Sequence, residues 1–246
     1  MFAHGFGCDQ YVWDKIAPAF ESKYRVVLFD YVGSGDSDKS AYNKERYRTL
    51  HGYKQDLLEL CDALSLENIV FIGHSVSSMI GALAAVERPE LMKNLIMIGP
   101  SPHFLNEPGY HGGFERADIE GMLEMIKGDY NEIAKFLSPV VMQNAARPHL
   151  AADFEQLLCS NDPDVMSDFA EATFLSDVRE ELEKVDVPTL ILQTRGDAVA
   201  PEAVGEYVHS RIENSEYKLM DAEGHSPHVS DAEETISKIA EYLSVS

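Results

Sequence analysis

A chain of 246 residues with 45% hydrophobic side chains can bury one substantial core without help from disulfides or metal. Its formal charge of -22, from 42 Asp and Glu against 20 Lys and Arg, argues against nucleic acid and anionic membranes as partners. Three cysteines without C-x-x-C spacing, no signal-like N-terminus and no apolar stretch near the roughly 18 to 20 residues of a membrane span lead us to expect a soluble cytoplasmic protein.

The chain opens on Met1-Phe2-Ala3, which leaves almost no strand before the turn His4-Gly5-Phe6-Gly7. Arg25 to Phe29 reads as a strand, followed by Asp30 and the sequence Gly33-Ser34-Gly35. The spacing of those glycines and the lack of a following lysine favour a tight turn over a phosphate-binding loop. Between Arg46 and Leu64 the residues Leu57, Leu58, Cys61 and Leu64 recur at helical spacing. Ile69 to Ile72 is a β-branched and aromatic strand, and Met79 to Val86 is a small-residue helical segment ending near Arg88-Pro89. Asn94 to Ile98, Thr189 to Gln193 and Tyr217 to Met220 supply three more strands, and Ala232 to Leu243 is a closing amphipathic helix. Strands alternating with helices imply an α/β fold with a mostly parallel sheet wrapped by helices.

From Ser101 to about Arg179 the alternation stops. Helices are expected around Phe114 to Ile126, Asn131 to Phe136, His149 to Leu158 and Asp164 to Phe174, with no strand among them. A helical insertion between two core strands would sit over the carboxyl edge of the sheet, where open α/β folds bind ligands. We therefore expect a core of residues 1–100 and 180–246 and a helical cap of residues 101–179.

Gly73-His74-Ser75-Val76-Ser77 places one serine at the corner between the strand Ile69 to Ile72 and the helix after it. The pattern resembles the nucleophile turn G-x-S-x-G, except that Ser77 replaces the second glycine. Taken alone, it is equally compatible with an ordinary strand-turn-helix that happens to carry a serine. A serine nucleophile also needs a base, a group to orient that base, and donors for the oxyanion. Asp197 follows the strand Thr189 to Gln193, and His225 follows the last strand, so both belong to the same sheet edge as Ser75. The order Ser, Asp, His matches the α/β-hydrolase fold. His228 competes with His225 for the role of base. Asp221 lies too close in sequence to His225 to orient it, and Asp177 belongs to the exit of the insertion. The N–H groups of Phe6 and Val76 are the expected oxyanion donors. No His, Cys or carboxylate cluster has metal-ligand spacing, and no cofactor is expected.

With these residues in place, the chain resembles the α/β-hydrolase subgroup that contains the bacterial stress regulator RsbQ and the plant strigolactone and karrikin receptors. The likeness covers essentially the whole chain. It rests on Gly73 to Gly81, on Ser101 to Asn106, and on Tyr110 to Glu115, while Phe29 to Gly35 and Gly224 to His228 incline it towards RsbQ. A serine at position 77 is familiar among the plant receptors. The resemblance implies a four-helix cap over a deep apolar pocket lined by Phe6, Phe104, Phe114, Phe136 and Phe174. It also implies slow hydrolysis of a small hydrophobic ester, lactone or butenolide-like ligand in a regulatory role, with a PAS-containing protein phosphatase as partner. A ligand-binding receptor in which turnover is secondary and a general carboxylesterase are the alternatives. Members of the subgroup have further strands before the position of Met1, so the N-terminal strands are expected to be missing here, at some cost in stability or in the oxyanion site.

Overall fold

The computed structural model describes residues 1–245. The first strand, β1 (Phe2–Ala3), leads through short 3₁₀ turns at Gln10–Trp13, Ala17–Ala19 and Lys39–Ala41 to α1 (Leu50–Ala63). The alternating pattern then takes over: β2 (Ile69–His74), α2 (Val76–Glu87) and β3 (Met92–Ile98). Four helices come next, α3 (Arg116–Gly128), α4 (Tyr130–Met142), α5 (His149–Cys159) and α6 (Pro163–Phe174). The chain closes with β4 (Thr189–Arg195), α7 (Glu202–Arg211), β5 (Ser215–Glu223), the single turn α8 (Pro227–Ser230) and α9 (Ala232–Val245).

The five strands pair in parallel, in the spatial order β1-β2-β3-β4-β5. Both faces of the sheet are buried, which explains why its strands read as continuous apolar runs rather than alternating ones. Phe71, Leu95, Met97 and Ile191 face one core, shared with α1, α2 and the inserted helices. Ile72, Ile96, Ile98, Leu190, Leu192 and Met220 face the other, shared with Trp13, Ile16, Phe20 and α9. Parallel order brings the carboxyl ends of β2, β4 and β5 to one edge, and Ser75, Asp197 and His225 all follow those ends.

One expected strand is absent. Residues 25–29 form no ladder; they touch the sheet through a single bridge, Phe2 to Leu28, and through the Phe2 N–H donating to the Val27 carbonyl at 3.0 Å. The physical reason is the length of their neighbour. β1 offers two residues, which is too short a template for a repeating ladder. The four helices of the insertion agree with the expected positions to within a turn, apart from α4, which extends to Met142. Among the described residues no helix is long and apolar enough to cross a membrane.

Candidate active site

At the corner between β2 and α2, Ser75 takes a backbone conformation of φ 55° and ψ -122°. Few non-glycine residues adopt such a value, and its strain is stored where a side chain must be held proud of the sheet. The corner is set from both sides, since the Ser75 N–H donates to the Ile98 carbonyl at 2.8 Å and the Ser75 carbonyl accepts from the Ser78 N–H at 2.9 Å. Gly73 is required here by close approach: a Cβ would lie 2.6 Å from the backbone carbonyl carbon and oxygen of Ser77.

Asp197 and His225 meet at this corner. The loop after β4 holds the Asp197 carboxylate by its Oδ1, which accepts from the N–H groups of Val199 at 2.8 Å and Ala200 at 3.0 Å. Its Oδ2 accepts from His225 Nδ1 at 2.7 Å, and both residues are buried. Because Nδ1 donates to the carboxylate, the free lone pair of the neutral ring lies on Nε2. That nitrogen is buried and has no hydrogen-bond partner among the described residues. Gly99, at φ +57°, passes beside the ring, and a Cβ there would come within 3.0 Å of His225 Cε1.

The backbone of His225 is held as firmly as its ring. Its N–H donates to the Val141 carbonyl at 2.8 Å, and its carbonyl accepts from His74 Nε2 at 2.9 Å. The end of α4 is tied to the same two loops, through Gln143 to the Gly196 carbonyl at 3.0 Å and Asn144 to the Glu223 carbonyl at 2.9 Å. The inserted helices therefore share hydrogen bonds with the loops that carry Asp197 and His225. His228, the competing base, lies behind the site with its ring 4.5 Å from Trp13 and 4.3 Å from His74, centre to centre. Burial pushes its pKa down to about 3, and it does not line the cavity in front of Ser75.

Across from the corner lies the turn His4-Gly5-Phe6-Gly7. Among the described residues neither the Phe6 nor the Val76 backbone N–H donates to a protein group, which leaves both free for a ligand oxygen. Ser75, Phe6 and His225 line one cavity of about 410 Å³ that runs up between the inserted helices. Phe114, Phe136 and Phe174 line it as well, with Phe136 63% exposed at the mouth. Phe104 does not: it is buried behind Phe174, 5.0 Å away ring to ring, and belongs to the core. Met122, Met125 and Phe154, among the apolar residues of the inserted helices, complete the wall together with Leu137 and Val140, which the sequence did not single out. Their signal was present in the spacing along α3, α4 and α5, but spacing alone does not tell a pocket face from a packing face. Among the described residues Asp118 is the one carboxylate on that wall, and no Lys or Arg lines it. Cys8 lines it too, but burial pushes its thiol up to about 12, so it is a poor rival nucleophile.

The sequence model of the alpha/beta hydrolase fold family matches residues 1–232. This chain is an α/β hydrolase. A strigolactone esterase from Arabidopsis thaliana is 39% identical over 231 residues, 94% of this chain and 86% of the relative. The karrikin insensitive 2 receptor IA of Petunia hybrida is 35% identical over 245 residues, 99% of this chain and 89% of the relative. Among solved structures, a hydrolase from Oleispira antarctica superposes with a TM-score of 0.96 at 40% identity, covering 99% of this chain and 89% of the other. The parallel sheet flanked by helices is thus the α/β-hydrolase fold in both architecture and sequence, and the departure at Ser77 lies within a chain that otherwise matches the family.

Proposed function

We propose that this α/β hydrolase is a serine esterase or lactonase for small, neutral, hydrophobic substrates. The observation that carries the reading is the buried 2.7 Å contact between Asp197 and His225 at the wall of the cavity that Ser75 lines. Ser75 Oγ attacks the carbonyl carbon while His225 Nε2 takes the hydroxyl proton, and Asp197 holds the ring and balances the imidazolium. The carbonyl oxygen becomes an oxyanion facing the N–H groups of Phe6 and Val76. Collapse breaks the ester C–O bond, His225 returns its proton to the leaving oxygen, and water repeats the cycle on the acyl-enzyme. Nucleophile and base commonly sit farther apart in a ligand-free site and close up on substrate.

Substrate class follows from the wall. A cavity lined by phenylalanine, methionine and branched aliphatic side chains, with no cation among the described residues, favours apolar groups and gives a carboxylate no charged partner. The helices α3 to α6 act as the cap that closes this cavity from above. A second reading, ligand sensing with turnover secondary, is favoured by the likeness to a karrikin receptor and by the hydrogen bonds from the end of α4 to the His225 loop. The PAS-containing phosphatase implied by the RsbQ resemblance belongs to that second reading.

Steady-state assays with a short-chain aryl ester and with a butenolide test the proposal. Release of the alcohol or ring-opened product above the buffer rate, with saturation in substrate, is the expected result. No release from either substrate at any enzyme concentration would sink the hydrolase reading.

A further inference from the structure

Ser77 occupies the position of the second glycine in G-x-S-x-G, on the first turn of α2, and is fully buried. Its hydroxyl donates to the His4 carbonyl oxygen at 2.5 Å. With its one proton so used, the Ser77 oxygen accepts from the Tyr31 hydroxyl at 3.0 Å. Tyr31 also donates its backbone N–H to His4 Nε2 at 3.2 Å. That bond fixes the tautomer of His4: the proton lies on Nδ1, which reaches the Gly5 carbonyl at 2.9 Å. Burial lowers the pKa of His4, which keeps the ring neutral as this arrangement demands. His4 and Ser77 are inaccessible to solvent and Tyr31 is 1% exposed, so water cannot replace any of these bonds.

We propose that Ser77 is a positioning residue, which locks the oxyanion loop His4-Gly5-Phe6 onto α2 through the His4 carbonyl, with Tyr31 completing the lock. The proposal rests on the serine-hydrolase reading, because it acts through the Phe6 N–H two residues beyond the anchored carbonyl. Glycine or alanine at position 77 leaves the His4 carbonyl and the Tyr31 hydroxyl buried without a partner. The loop then relaxes to satisfy them, and the Phe6 N–H moves from the place where the oxyanion forms. Interactions with an oxyanion are made in the transition state rather than in the bound ester, so the loss falls on kcat and not on KM.

The test compares the wild-type chain with Ser77→Ala, Ser77→Thr, Tyr31→Phe and the Ser77→Ala/Tyr31→Phe pair, with Ser75→Ala as control. Ser77→Ala is expected to lower kcat for an aryl ester about tenfold to a hundredfold with KM changed less than about threefold. It should weaken an apolar trifluoromethyl ketone by the same factor. That inhibitor forms a bond from Ser75 Oγ to its carbonyl carbon, passes the serine proton to His225 and leaves an oxyanion in the hole. Affinity for the corresponding methyl ether, which forms no oxyanion, should not change. Ser77→Thr keeps the hydroxyl and should retain most of kcat, whereas Tyr31→Phe should cost nothing further once Ser77 is alanine. If Ser77→Ala does not fold, Ser77→Gly, which restores the family pattern, carries the same expectation. A kcat for Ser77→Ala within about twofold of wild type overturns the proposal, as does an equal loss of affinity for ketone and ether. Full turnover in Ser75→Ala defeats the assignment of Ser75 as the nucleophile on which the proposal rests, so the two failures are distinct.

Discussion

Replacing Ser75 with alanine is expected to lower kcat for an activated aryl ester by about 10³-fold to 10⁶-fold while leaving the fold intact. The size of the effect follows from the way the proposed groups act as a unit. Without Ser75 Oγ there is no acyl-enzyme, and His225 has no nucleophile to deprotonate; only the polarising N–H groups of the oxyanion loop remain. The protein should tolerate the change, because the Ser75 backbone, not its side chain, makes the hydrogen bonds that hold the corner. Alanine keeps the Cβ and inherits the positive φ that the corner already imposes. A stopped-flow or plate-reader assay, read beside a thermal melt, checks both halves. A melting temperature within a few degrees of wild type together with full turnover would mean that another residue does the chemistry.

A second large effect is expected in acid. His4, His74 and His228 are buried, and burial is the first cause of a lowered pKa in each, down to about 3 for His228. Unfolding returns each ring to an ordinary value near 6.5. Above about pH 6.5 neither state binds these protons, and the histidines put no slope on stability. As pH falls below that value the unfolded chain takes up protons that the folded chain refuses, and a ring kept wholly neutral in the fold, as His228 is down to about pH 3, lowers stability by about 1.4 kcal/mol per pH unit. His4 and His74 act in the same direction, against the roughly 5 to 15 kcal/mol that holds a typical domain. The loss from His228 stops only near its folded value of about 3. Urea unfolding between pH 7.5 and 5.0 reads the histidines together with the buried Met1 amino group, whose pKa burial lowers from about 8 to about 5, since most carboxylates titrate lower. We expect stability to fall gently between pH 7.5 and 6.5, from the amino group, and more steeply below 6.5, where the histidines join it. His228→Phe, which can keep the ring contacts to Trp13 and His74, should remove about one proton's share of the slope. Equal stability at pH 7.5 and 5.0 would show that these rings are not neutral in the fold.

The parts of this molecule that could be read from sequence are those fixed by local pattern. Strand-length apolar runs and helical spacing gave β2 to β5, and turn position alone put Asp197 and His225 at the carboxyl edge that Ser75 occupies. The parts that could not be read depend on which neighbour the chain meets after folding. Residues 25–29 have strand composition but find only the two-residue β1 beside them, so they make one bridge instead of a ladder. Phe104 and Phe174 are both aromatic residues of the inserted region, yet one packs behind the other and only Phe174 reaches the cavity. Ser77 was visible as a departure from a pattern; its hydrogen bond to the His4 carbonyl, 73 residues away in sequence, was not. His74 gave no signal of its own, although its ring joins the loop of His225 to the back of Gly5, whose Cβ would lie 2.5 Å from His74 Nδ1.

The proposed chemistry makes Ser75 the nucleophile, activated by His225 and Asp197. Incubating the protein with an apolar fluorophosphonate, digesting it and locating the adduct by mass spectrometry identifies the reacting side chain. A single phosphonyl group is expected on Ser75, formed at a rate that falls by orders of magnitude in His225→Ala, with fluoride as the leaving group. An adduct on Ser77, Ser78 or Cys8 instead, or labelling of Ser75 that proceeds as fast without His225, would contradict that chemistry.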